Sequence, residues 1–136
     1  MFRRYSLARD VRKRCPILFE RGFEIAEEWS SQTCDHLVIQ SKPFSIEFWA
    51  DRSEFAVTLV LPESPDVGWD LGTLCEVLLT AEQRSGLDLR RWASAAAQFR
   101  TLRVVLPVLL AQLEADRIGT VARILSRPWS PQPPAP

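Results

Sequence analysis

The chain has 136 residues, 46% hydrophobic and 25% charged, with 17 basic groups against 17 acidic ones, a composition that suits one ordinary globular domain with its own core. No apolar run reaches the roughly 18–20 residues that cross a bilayer; the longest, VVLPVLLAQL, carries Pro107, and the N-terminus has no apolar stretch before a small-residue cleavage site, so neither a membrane span nor a secretory signal is expected. Three cysteines (Cys15, Cys34, Cys75) at wide spacing fit neither a disulfide framework nor a zinc pattern and point to free thiols in a reducing cytoplasm.

In chain order, residues 6–21 read as an amphipathic helix, with Leu7, Val11, Cys15 and Leu18 on one face, Ser6 as N-cap and Gly22 at the stop. Pro16 should kink or split it. The period then changes to two. FEIAEEW puts Phe23, Ile25 and Trp29 on one face and Glu24, Ala26 and Glu28 on the other. HLVIQS continues as a strand. FSIEFWAD alternates most clearly, with Phe44, Ile46, Phe48 and Ala50 inward and Ser45, Glu47, Trp49 and Asp51 outward. EFAVTLVL follows a short turn at Arg52 and Ser53. PESPDVGW reads as a loop, and Asp70 caps a helix over LGTLCEVLLT. A turn around Gly86 leads to a long helix from about Leu89 to Ala115, bent at Pro107, and Asp116 caps a last helix over RIGTVARILS. The expected fold is α+β, a four-stranded antiparallel meander with helices on one face, in the order α-β-β-β-β-α-α-α. One domain is expected over 1–127, with 128–136 a proline-rich, extended and disordered tail.

The zero net charge hides three blocks. Residues 1–21 hold seven basic and two acidic groups, residues 22–82 two and twelve, and residues 83–136 eight and three. Whether these blocks neutralise one another or remain apart depends on the fold.

Cys34, Asp35 and His36 sit in a row, and His36 is the one histidine. A thiol–imidazole pair must lie within hydrogen-bond reach, yet residues two apart on a strand are about 6.5–7 Å apart at Cα. This stretch therefore reads as a turn entering a strand. No catalytic residue, metal ligand or cofactor is expected: there is no glycine-rich phosphate loop and no G-x-S-x-G. The acid pairs Glu27/Glu28 and Glu47/Asp51 read as solvated surface.

Binding is better supported. Trp49 on the outward face, among Glu47, Asp51, Glu54, Glu24 and Glu28, and Trp69 ahead of its helix form the expected contact set for a basic protein partner. The alternative is a nucleic-acid-associated regulator that uses Arg3, Arg4, Arg9, Arg12, Lys13 and Arg14 with Arg90, Arg91, Arg100 and Arg103.

PILFERGFEI, FSIEFWADRSEFAVTL and WDLGTLCEVLL together resemble a group of small uncharacterised bacterial α+β proteins, over roughly residues 16–80. Proteins of this style resemble immunity proteins of bacterial toxin systems. The resemblance implies inhibition by binding, against a basic toxin or nuclease, with no catalytic residues to carry over. The basic N-terminal helix and the proline tail depart from it.

Overall fold

In the computed structural model, which describes residues 6–52 and 54–127, Ser6 opens α1 (Leu7–Arg14), its hydroxyl oxygen accepting the Arg9 N–H at 3.2 Å. The arginines at 3 and 4, Ser53 and the proline-rich stretch 128–136 lie outside the described residues. At Cys15 the helix breaks, because Pro16 has no N–H to continue the ladder; it starts α2 (Pro16–Glu20) instead. Gly22, at φ +86°, then turns the chain into the sheet.

Five strands follow, β1 (Glu24–Ser30), β2 (Cys34–Gln40), β3 (Ser45–Asp51), β4 (Glu54–Leu61) and β5 (Ser64–Asp70), paired antiparallel in chain order. The α+β class and the meander agree with expectation, but the four-strand count does not. The segment read as a loop forms β5, whose alternation is masked by Pro65 and Gly68. Its register sets Trp69 beside Leu59 and Asp70 beside Thr58. Gly68 is required there: a Cβ would lie 2.1 Å from the Thr58 methyl.

The second half also differs from the expected three helices. α3 (Leu71–Leu78) is capped by Asp70 as read, with Thr73 N–H to Oδ1 at 2.8 Å. A one-turn α4 (Ala81–Arg84) follows, held by a reciprocal cap between Thr80 and Gln83. The long helix α5 (Ala95–Ala115) begins six residues later than expected and contains Pro107, with Ser94 as its N-cap. Asp88 prevents the earlier start, because its carboxylate takes both the backbone N–H and the guanidinium of Arg90 and stabilises a turn. Trp92 is therefore outside the helix and 44% exposed. Asp116 caps α6 (Arg117–Leu125) as read.

Helices α1, α2, α3, α5 and α6 gather on one side of the sheet. Leu37, Ile39, Ile46, Phe48, Phe55, Val57, Leu59 and Trp69 share that side through the strand register and are buried against Leu7, Val11, Leu74, Phe99, Leu102 and Leu106. Phe48, Phe55 and Phe99 form the centre of this core, with ring centroids 5.1–6.4 Å apart. β5 accompanies only the second half of β4; at the first half, the Gln98 carboxamide donates to the carbonyls of Phe55 and Ala93, which satisfies backbone that an edge would leave open.

Candidate functional site on the uncovered sheet face

The side of the sheet away from the helices carries the candidate site. One irregularity in β1 assembles it. Ile25 pairs with Ile39, but Glu27 already pairs with Val38, so Ala26 is an extra residue, a bulge. Before the bulge Ile25 faces the core, and after it the alternation is inverted. Trp29, expected beside Phe23 and Ile25, is thus turned to the opposite side, where it lies directly across from His36. His36 lies in turn across from Trp49. Three aromatic rings from adjacent strands meet there. His36 stacks on Trp49 at 4.0 Å and 27° and meets Trp29 at 5.4 Å, while the two indoles touch edge to face at 5.7 Å and 79°.

The two indoles close over the smaller imidazole. His36 is 6% exposed on a face that helices do not cover, and neither ring nitrogen has a hydrogen-bond partner among the described residues. Trp29 keeps 41% of its surface exposed and Trp49 is half-buried.

Acids surround this cluster. The register places Glu24, Glu27, Glu47, Asp51 and Glu54 on the same side, with Asp51 directly across from Glu54. The five strands contain no lysine or arginine; Lys42 and Arg52 lie in turns. Among the described residues no ion pair involves these five acids: the pairs are Arg14–Asp10, Arg90–Asp88, Arg117–Glu63 and Arg127–Glu76. Like charges held directly across a ladder repel, so Asp51 and Glu54 repel each other with no ion pair among the described residues to relieve them.

Of the residues expected to form the contact set, Glu24, Glu47, Trp49, Asp51 and Glu54 come together here. Glu28 does not: past the bulge it pairs with Leu37, on the helix side of the β1 edge, and lines a groove with Ser6, Leu7 and Asp35. Trp69 does not either, because it is 2% exposed in the core. Trp29, His36 and Glu27 join the site unforeseen. The stretch read as a turn at Cys34–His36 is already strand.

Cys34 shares the open side with His36, as the alternation required, with Asp35 on the other. Its thiol donates to the Asp35 carbonyl at 3.7 Å. Burial, with Asp51 and Asp35 nearby, pushes its pKa up, the reverse of what an attacking thiolate needs. Among the described residues no three His, Cys, Asp or Glu side chains come together to hold a metal ion. The described helices include none long and apolar enough to cross a membrane.

The described residues thus define an α+β protein of two layers, with helices on one sheet face and none on the other. Comparisons with protein-family models, with curated proteins and with solved structures found no match to this chain.

Proposed function

We propose that the chain is a non-enzymatic binding protein that holds a basic protein partner against its uncovered sheet face. One observation carries this reading: an exposed and a half-buried indole at the centre of the face, with carboxylates on the same side that have no ion-pair partner among the described residues. Aromatic centres within polar rims are typical of interface hot spots, and a field of one sign steers a partner of the other. In its sharpest form the partner is a basic toxin or nuclease, neutralised by occupation of its surface. Affinity capture at low and moderate salt tests it. The expected result is a basic protein retained by the wild-type chain, released as salt rises, and bound more weakly by over about 1 kcal/mol to Trp49→Ala. A partner whose affinity ignores Trp49→Ala would dismiss this face.

A second reading rests on the helix side, where Arg103 donates to the Arg14 carbonyl at 3.2 Å and so brings the end of α1 against α5. Exposed Arg9, Arg12, Lys13, Arg100 and Arg103 lie on these two helices. Such a patch suits phosphate backbones. DNA retention that falls steeply with salt and with Arg100→Gln/Arg103→Gln would favour it.

A further inference from the structure

Given a basic partner on the open face, three features of that face bear on which basic side chain anchors it. The first is a π surface. Trp29 and Trp49 are half-buried or exposed and stand edge to face, so they present indole surface to an incoming cation. The second is the placement of acceptors. Glu47 and Asp51 lie two residues to either side of Trp49 on the same side of β3, and Glu54 stands across from Asp51, none with an ion-pair partner among the described residues. The third is His36, buried beneath the indoles with both ring nitrogens unpartnered. A buried polar group in that state retains capacity for a hydrogen bond.

Lysine and arginine answer this arrangement differently. An ammonium is a compact, strongly hydrated point charge; over an indole it must shed water, and its donors do not lie in a plane. A guanidinium is planar and weakly hydrated. It can lie against an indole while its rim of N–H donors points outward, toward carboxylates about 6.5–7 Å away along the strand at Cα.

We propose that the anchor is an arginine of the partner, its guanidinium laid on the Trp29–Trp49 indoles and its N–H groups donating to the carboxylates of Glu47 and Asp51. The seated cation removes the repulsion between Asp51 and Glu54 and brings donors toward the unpartnered imidazole. This rests on the open face being the partner surface, and it adds a chemical identity for the contact.

The test uses hexa-arginine and hexa-lysine peptides, equal in length and charge, titrated into the full chain with binding followed by tryptophan fluorescence. Hexa-arginine is expected to bind about tenfold tighter, within the range of a partly desolvated cation–π contact. That advantage should vanish in Trp49→Leu while hexa-lysine binding changes little. Glu47→Gln/Asp51→Asn, which leaves the indoles and the core intact, should also remove it. Equal affinities for the two peptides would overturn the arginine anchor and leave the basic-partner reading in place. An arginine preference that persists in both variants would overturn it too, by moving the contact elsewhere. Binding of neither peptide to folded protein would overturn both.

Discussion

His36 is the residue where stability and binding separate most clearly. A buried ring with two unpartnered nitrogens costs about 1–3 kcal/mol relative to a satisfied one, offset in part by stacking on Trp49 at 4.0 Å. His36→Leu is therefore expected to leave stability unchanged or to raise it by up to about 1 kcal/mol, read as a urea midpoint shift at constant slope. A loss of more than that would mean that the imidazole is satisfied in solution and structural. The thiols act in the opposite sense. Burial pushes Cys15 up to about 11 and Cys75 up to about 12, whereas an unfolded thiol ionises near 8.5. The folded chain thus keeps protons that the unfolded chain loses: the stabilisation is complete below about pH 8.5 and is lost as pH rises toward 11–12. The urea midpoint should fall across that window, and less steeply in Cys75→Ala. Parallel slopes would show that the Cys75 thiol contributes nothing.

At the level of elements, the bulge at Ala26 lets one strand meet two demands. Ile25 enters the core before it and Trp29 reaches the open face after it. The turn beyond fixes the later half, since the Ser31 hydroxyl accepts the N–H groups of Thr33 and Cys34. Deleting Ala26 should consequently leave a regular ladder in which Trp29 still opposes His36 and Ile25 still opposes Ile39, so both side chains keep their sides. Retention of the tryptophan couplet in circular dichroism, with stability within about 1 kcal/mol of wild type by urea titration, is the expected result; a lost couplet would show that the turn does not set the register. This bulge also explains how far the sequence could be read. The alternation in β3 and β4 and the caps at Ser6, Asp70 and Asp116 were legible because local patterns determine them. The bulge falls among exposed Ala26, Glu27 and Glu28 with no glycine to mark it, so strict alternation puts Trp29 on the wrong side. β5 was hidden by Pro65 and Gly68. Two features were within reach: the T-x-x-Q cap at Thr80, and the pairing of His36 with Trp49, which follows once Gln40 and Ser45 are set as partners across their short connection.

On the scale of the whole molecule, the three charge blocks of the sequence become two sides. The strands hold acids and no bases, while α1 and α5 hold Arg9, Arg12, Lys13, Arg14, Arg100 and Arg103. Among the described residues one ion pair joins the two sides. Arg117 forks onto Glu63, in the turn between β4 and β5, at 2.9 Å and depresses its carboxyl pKa, while Arg127 and Glu76, 3.8 Å apart, both belong to the helix side. Exposed pairs of this kind contribute little to stability and do not discharge either side. A chain of zero formal charge therefore carries opposed fields, each reaching about 10 Å at 0.1 M salt. At pH 7 and low ionic strength it should be retained by both anion and cation exchangers, and leave both as screening sets in near 0.1–0.2 M. Neutralising the sheet side with Glu47→Gln/Asp51→Asn/Glu54→Gln should weaken retention on the anion exchanger. Arg100→Gln/Arg103→Gln should do the same on the cation exchanger. Passage of the wild-type chain through both columns at low salt would mean that the sides cancel at the distances a partner senses. Electrostatic steering onto the sheet face would then lose its physical basis, because an approaching basic surface would meet no net field before contact.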